Sequence, residues 1–106
     1  VFYGGMNTLT EIRKFYERAR LMPAYPGKGK RESVVCKIAP CAVDIPYEKL
    51  DAATISFCHA QGIKVFSDLL GQHDTAAAYR KAIRLGVDLI QTDDISAVHQ
   101  VFDEFE

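Results

Sequence analysis

Residues 61–66 read Gln-Gly-Ile-Lys-Val-Phe, and residues 85–90 repeat the pattern as Leu-Gly-Val-Asp-Leu-Ile. In both stretches a glycine separates an amphipathic segment from a short apolar run, and Gly62 and Gly86 are 24 residues apart. Glycine ends helices readily, and buried parallel strands are continuous apolar runs, so the repeat predicts βα units. Right-handed crossovers between such units favour a parallel sheet, either open and doubly wound or closed as a barrel.

Hydrophobic spacing predicts two helices before this repeat. The first covers Thr8 to Leu21, begins with a capping box of Thr8 and Glu11, and turns inward Ile12, Phe15, Tyr16 and Ala19. The second runs from about Tyr47 to Gln61, where Gly62 stops it, and turns inward Leu50, Ala53, Phe57 and Ala60.

Two further helices and five strands complete the prediction. One helix covers Thr75 to Leu85, with Asp74 as N-cap, Gly86 at its end and an apolar face of Tyr79, Ala82 and Ile83. The last starts near Asp93 and Asp94 and buries Val98, Val101, Phe102 and Phe105. The predicted strands are Val1 to Tyr3, Leu21 to Tyr25, Ser33 to Ile38, Ile63 to Phe66 and Val87 to Gln91. The stretch from Pro40 to Pro46 predicts an irregular connection.

The composition is that of one soluble globular domain at most. The chain has 106 residues, of which 48% are apolar and 25% charged, and its formal net charge is −1. These values exclude a disordered chain, and no apolar run is long enough for a membrane span. The balanced charge argues against nucleic acid as a partner. The apolar start at Val1, without an initiator Met, indicates a chain cut in mid-strand.

The cysteines lack the paired short spacings of zinc sites. They number three, an odd count: Cys36, Cys41 and Cys58. Free Cys commonly behaves as a small hydrophobe, so we expect buried thiols in a reducing, cytoplasmic compartment, although one disulfide stays open.

Candidate chemistry follows the carboxyl ends of the last two strands, where parallel α/β folds carry their sites. Asp68 follows one strand, and Asp93 and Asp94 follow the next. Three carboxylates there could hold a divalent metal, but the competing interpretation makes Asp74 and one of Asp93 and Asp94 helix N-caps. His73 lies in a loop on the same side, yet nothing in the sequence pairs it with a nucleophile.

A second candidate is the loop of residues 27–31, which could cradle a phosphate through backbone N–H groups and through Lys28, Lys30 and Arg31. The loop does not match the P-loop pattern, because no GxxxxGK followed by Ser or Thr occurs in it. The alternative is a solvated loop.

Residues 59–68, then Asp74 and Thr75, then residues 82–93 ending in Gly-Val-Asp-Leu-Ile-Gln-Thr-Asp, resemble the last two βα units of the glycerophosphodiester phosphodiesterase family. The similarity is close over about residues 57–94. The family implies a TIM-type (β/α)8 barrel, of which this chain would be the C-terminal half, as one partial α/β domain over residues 1–106.

The resemblance also implies an activity, the hydrolysis of glycerophosphodiesters by two histidines and a divalent cation, calcium or magnesium. The family's His-Arg and Glu-x-Asp motifs are absent, so we expect no catalytic residue and no bound metal in this chain, which alone would be inactive. What carries over is a pocket wall for a small phosphodiester substrate, formed by Phe66, Asp68, Thr92 and Asp93. Many members have Trp at the position of Phe66 and Asn at that of Asp68, and the added charge of Asp68 would repel a phosphodiester unless a metal lies nearby.

Half a barrel leaves two sheet edges and an apolar face without cover. We therefore expect self-association or association with a missing N-terminal half. The competing function is a non-catalytic α/β module that binds a phosphorylated ligand or a partner chain through the loop of residues 28–31.

Overall fold

The computed structural model describes residues 1–30 and 37–105, at Lys28 the backbone only. Strands and helices alternate along the chain, as the repeat predicts. In order they are β1 (Phe2–Gly4), α1 (Met6–Phe15), β2 (Leu21–Pro23), β3 (Ala42–Asp44), α2 (Ala52–Ala60), β4 (Lys64–Asp68), α3 (Ala76–Leu85), β5 (Leu89–Gln91) and α4 (Ile95–Asp103). Short 3₁₀ turns occupy Lys28–Lys30, Tyr47–Lys49 and Gly71–His73.

All the strand pairs are parallel and follow chain order. β1 and β2 form a two-stranded sheet, while β3, β4 and β5 form a three-stranded sheet in that order. A parallel bridge between Ala24 and Asp44 joins the two sheets, and the Tyr25 amide donates to the Asp44 carbonyl at 2.8 Å. Sequential parallel strands with helical crossovers confirm the predicted α/β fold class.

The strand β3 was not predicted, because Pro40 and Pro46 around it favour an irregular connection. The interpretation is wrong because both prolines lie outside the three paired residues, where their missing N–H costs the ladder nothing. The predicted strand from Ser33 to Ile38 falls mostly outside the described residues. Its described end, Lys37 and Ile38, is helical rather than extended.

The first helix differs most from its prediction. It begins at Met6 after Gly5, with no side-chain cap, so the capping box of Thr8 and Glu11 is wrong. It ends at Phe15, because the residues that follow turn back to begin β2. Phe15 is 88% exposed, Tyr16 is also exposed, and the buried residue of the helix is Leu9.

The second helix keeps its place but turns a different face inward. The Asp51 carboxylate accepts a bond of 2.7 Å from the Thr54 amide, which starts the helix later than predicted. The buried side chains are Thr54, Ile55 and Cys58, whereas Ala53 and Ala60 are exposed. A helix with apolar residues on most sides gives no single stripe, so its phase cannot be predicted from spacing.

The last two helices agree better with the sequence. Thr75, not Asp74, caps α3, whose Tyr79 and Ala82 are buried as predicted. Gly86 ends α3 at a φ of 100°, where an added Cβ would lie 3.3 Å from the Ile55 side chain. Asp94 caps α4, which buries Val98 and Val101 but leaves Phe102 and Phe105 exposed.

The strand β4 shows how the sheet divides the molecule. Val65 and Ser67 point into the main core, between the sheet and helices α2, α3 and α4. Successive side chains of a strand point to opposite sides of the sheet, and we call the side opposite to this core the open face. It carries Tyr3, Met22, Ala42, Asp44, Lys64, Phe66, Asp68, Leu89 and Gln91. A smaller core beneath α1 contains Leu9, Ala19, Leu21 and Ile38.

Candidate functional site

A cavity of about 200 Å³ lies on the open face where the strands end. We call it the upper cavity. It is lined by Tyr3, Met22, Asp44, Phe66, Asp68 and Gln91. Strand register creates this cluster, because Asp44 is paired with Phe66 and Asp68 with Gln91 across neighbouring parallel strands. The carboxyl ends of parallel strands are where barrel folds place their sites.

Two carboxylates dominate the upper cavity. The Tyr3 hydroxyl on β1 donates to Asp44 Oδ2 on β3 at 3.1 Å. The Asp68 Oδ1 atom accepts from the Leu70 amide at 2.9 Å, which fixes the turn after β4. Phe66 is paired with Asp44, lies two residues before Asp68 on β4, and forms an apolar wall of the cavity.

Burial raises the pKa of the Asp44 carboxyl, the bond from Tyr3 opposes this rise, and the negative charge of Asp68 adds to it. The bond to Asp44 is likewise the main reason why the pKa of the Tyr3 hydroxyl is raised. The cavity therefore presents hydrogen-bond acceptors and negative charge. Such a wall suits hydroxyl groups or a cation and disfavours direct contact with an anion.

A groove of about 310 Å³ continues from the upper cavity past Asp44 and Asp68 to His73. His73 Nε2 lies 2.6 Å from Glu48 Oε1, and its ring centroid lies 4.4 Å from that of Tyr47. A hydrogen bond at the Glu48 backbone, together with His73, lowers the pKa of the Glu48 carboxyl. The predicted candidate His73 is thus paired with a carboxylate, and not with a nucleophile.

Thr92 and Asp93 are hydrogen-bonded to Asp74, and their part in the pocket wall stays a prediction. Neither is among the residues that line the upper cavity or the groove. The Thr92 and Tyr79 hydroxyls both donate to the Asp74 carboxylate, which also accepts the Asp93 amide at 2.9 Å. These bonds hold the pKa of Asp74 below its ordinary value. Asp74 therefore ties the loops after β4 and β5 together.

The metal interpretation of Asp68, Asp93 and Asp94 fails in the described part of the chain. Within residues 1–30 and 37–105, no three His, Cys, Asp or Glu side chains converge as a metal site. Asp94 instead caps α4 by accepting from the Ala97 amide at 3.1 Å, as the competing interpretation proposed. The residues of the upper cavity supply two carboxylates, so a calcium ion with six to eight oxygen ligands would take the others from further groups or water.

The loop of residues 27–31, which we call the basic loop, follows the carboxyl end of β2, the same end of the strands at which the upper cavity lies. Its backbone forms a 3₁₀ turn in which the Lys30 amide donates to the Gly27 carbonyl at 3.2 Å. Lys30 is exposed, whereas the Lys28 side chain and Arg31 lie outside the described residues. Of the cysteines, Cys58 is buried, Cys41 is half-buried, and Cys36 lies outside the described residues.

The sequence patterns assign no functional role to several residues of the site, among them Tyr3, Asp44 and Glu48. The sequence pattern predicts only an apolar strand at Tyr3 and an irregular connection at Asp44. The available signal was the run Ala42 to Asp44, two apolar residues followed by an acid, because β4 also ends in an acid.

The sequence matches no protein-family model and no curated protein. Solved structures are similar, however. A candidate glycerophosphodiester phosphodiesterase from Galdieria sulphuraria has a TM-score of 0.78 at 15% identity, over 90% of this chain and 40% of that one. The chain has the fold of one part of such a protein. The predicted resemblance is confirmed at this level, and with it the place of the strands in a barrel-type α/β fold.

Two further structures agree. A glycerophosphodiester phosphodiesterase from Parabacteroides distasonis has a TM-score of 0.75 at 15% identity, over 96% of this chain and 42% of that one. A candidate glycerophosphoryl diester phosphodiesterase from Silicibacter pomeroyi has a TM-score of 0.72 at 15% identity, over 93% and 36%. This chain thus spans about two fifths of the length of the structures it matches. None of its described helices is long and apolar enough to cross a membrane.

Proposed function

We propose that this chain forms the substrate-binding wall of a hydrolase that acts on glycerophosphodiesters. One observation carries the proposal: the upper cavity lies at the carboxyl ends of parallel strands, in a fold matched by glycerophosphodiester phosphodiesterases. The cavity is large enough for a small polyol, and its walls combine an aromatic ring with hydrogen-bond acceptors. A cytoplasmic location for this enzyme stays a prediction.

Within this function, the open face receives the uncharged part of the substrate. Phe66 packs against the carbon atoms of the glycerol, while Asp44 and Asp68 accept hydrogen bonds from its hydroxyl groups. Two carboxylates repel a nearby phosphate, so the phosphate lies away from them. The basic loop after β2, with Lys28, Lys30 and Arg31, is our candidate for a contact to it. Thr92 and Asp93 act through the loop that Asp74 holds.

The chemistry itself comes from outside this chain in our proposal. Neither a His-Arg nor a Glu-x-Asp motif occurs in its 106 residues. The calcium or magnesium ion that the resemblance implies would take its ligands mainly from other residues, since the upper cavity offers only two carboxylates. In this proposal the chain itself supplies no catalytic step, and we expect the isolated chain to be inactive.

The test is an assay of glycerophosphocholine hydrolysis by the longest protein that contains this chain, with and without a chelator. We expect hydrolysis that the chelator abolishes, and no hydrolysis by residues 1–106 alone. Asp68→Ala should raise KM more than it lowers kcat, because the residue binds and does not react. Asp103→Ala, at an exposed position of α4, is the matched control. Absent hydrolysis in the longer protein, or an unchanged KM for Asp68→Ala, would contradict the proposal.

A further inference from the structure

Two loops meet at the outer end of the groove that continues from the upper cavity. The 3₁₀ turn Tyr47–Lys49 follows β3, and the 3₁₀ turn Gly71–His73 follows β4. His73 Nε2 lies 2.6 Å from Glu48 Oε1, and the ring centroids of His73 and Tyr47 are 4.4 Å apart. Glu48 and His73 both line the groove, so their contact spans it from one loop to the other.

The turn that carries His73 is held in place at both ends. The Asp68 carboxylate accepts from the Leu70 amide just before the turn. The Asp74 amide donates to the Gly71 carbonyl at 3.1 Å across it. The His73 side chain is only 25% exposed. His73 is therefore the fixed side of the contact.

Glu48 is the mobile side. Its neighbour Tyr47 is anchored, because it packs against the main core and Lys81 Nζ on α3 lies 4.8 Å from its ring centroid. The Glu48 side chain, by contrast, is 62% exposed. Exposed side chains change rotamer within nanoseconds, so the contact opens by rotation of Glu48 while both loops stay in place.

The strength of the contact depends on the charge of His73. A hydrogen bond between two ionised groups is stronger than one in which a partner is neutral, and histidine changes its charge between about pH 5 and pH 8. A hydrogen bond at the Glu48 backbone, together with His73, lowers the pKa of the Glu48 carboxyl, which stays ionised over this range. Loss of the proton from His73 therefore weakens the contact.

Other charged groups surround this histidine. They lie at the ends of β3 and β4, on α3 and at the next position of the chain: Asp44, Asp68, Lys81 and Asp74. A substitution at Glu48 leaves all four in place. Such a variant therefore separates the contact itself from the titration of its surroundings.

We propose that Glu48 and His73 form a clasp across the groove, which favours small alcohol groups on the substrate over bulky ones and which loosens when His73 loses its proton. The inference rests on the proposed function, with the glycerol in the upper cavity and the second alcohol in the groove. That alcohol shares about 310 Å³ with Glu48. A bulky alcohol must displace the Glu48 side chain, which is harder while the ion pair is intact.

A ratio of two kcat/KM values measures the clasp. The substrates are glycerophosphoglycerol and glycerophosphoinositol, because their alcohols are both uncharged polyols and differ mainly in size. The same catalytic groups act on both, so the pH dependence of the chemistry cancels in the ratio. In the longest protein that contains this chain, the preference for glycerophosphoglycerol should be about three-fold greater at about pH 5.5 than at about pH 8.5, since exposed ion pairs are weak.

Two variants remove the clasp without a large change of shape. Glu48→Gln removes the carboxylate charge, and His73→Gln removes the group that titrates. In both, the preference at either pH should equal that of the wild type at the higher pH. Asp103→Asn removes an exposed carboxylate on α4, as the matched control, and should keep the wild-type change. A wild-type preference that is constant with pH, or a change that persists in Glu48→Gln, would overturn the proposal.

A second measurement does not depend on hydrolysis. Nuclear Overhauser contacts between the Glu48 side chain and the His73 ring should be present in the same protein at about pH 5.5 and weaken at about pH 8.5. Weakening without any hydrolysis would support the clasp and remove the proposed function. Contacts that are absent, or equally strong at both pH values, would overturn the clasp whatever the activity.

Discussion

The two faces of strand β4 differ as much as any two regions of the molecule. On the helix side, Val65 is fully buried, and the Ser67 hydroxyl donates to the Ile45 carbonyl at 2.7 Å. On the open face, Lys64 and Asp68 are exposed, and Phe66 is only half-buried. The covered face holds the sheet to its helices, while the open face carries charge and cavities. Stability and candidate chemistry are thus separated across the thickness of a single strand.

The largest expected effect comes from the covered face. Ile45 is fully buried in the main core, so Ile45→Ala removes three buried carbon atoms and leaves a cavity. We expect a loss of about 2 to 5 kcal/mol in the free energy of unfolding, measured by urea denaturation. Ile95→Ala on α4, at an exposed isoleucine, is the control and should change little. A loss below about 1 kcal/mol for Ile45→Ala would contradict the division between the faces.

Asp74 lies beyond the ends of the strands, where it ties together the loops after β4 and β5. Its pKa is lowered in the folded protein by bonds from Thr92, Tyr79 and the Asp93 amide, so its charged form is favoured on folding. The stability that it contributes is present above the ordinary value of 3.8 and is lost as the pH falls through the lower folded value. We expect Asp74→Asn to lower Tm at pH 7 and to flatten the decline of Tm in acid.

Thermal scans between about pH 7 and pH 2 measure this effect. Thr92→Val, which removes one of the three donors, should give an intermediate decline. An acid profile of Asp74→Asn parallel to that of the wild type would show that another carboxylate is responsible.

The pKa of Asp44 is shifted upward, in the direction opposite to that of Asp74. Burial and the charge of Asp68 raise its pKa above 3.8, so the fold disfavours its charged form. The stability of the wild type therefore gains from protonation of Asp44 as the pH falls through the raised value. Asp44→Asn should raise Tm at pH 7 by about 2 °C, and the gain should disappear below about pH 4.

Carboxyl NMR titration measures the pKa of Asp44 directly, and Asp68→Asn should shift that pKa downward. Asp103→Asn, remote from the cavity, should leave it unchanged. A pKa of Asp44 at or below its ordinary value would contradict the burial that we assign to it.

The sequence predicted the covered face better than the open one. Helix α3 has a strong stripe, ending in Gly86, and its buried Tyr79 and Ala82 agree with the structure. Helix α1 has no acid in its first turn and no capping side chain, so its start at Met6 left no local signal. Strand β3 is three residues long, too short for a period to be recognised beside two prolines.

The candidate site was predicted in part, for a physical reason. Phe66 and Asp68 were identified because they end a strong strand, and both line the upper cavity. Asp44 and Tyr3 reach the same place only through strand register, which depends on pairing between residues far apart in sequence. The Thr92 hydroxyl is bound by Asp74, a partner that spacing alone does not indicate, and the part of Thr92 in a pocket wall stays a prediction.

The smallest effect is expected on the open face. Leu89 has the same number of side-chain carbon atoms as Ile45 but is 47% exposed on an edge strand. Leu89→Ala should therefore change the free energy of unfolding by no more than about 0.5 kcal/mol in dilute protein. The measurement is urea denaturation at two protein concentrations, one of them high enough to favour association. A loss that grows with concentration would show that another polypeptide copy covers Leu89, and a loss near that of Ile45→Ala would show that the chain covers this face by itself.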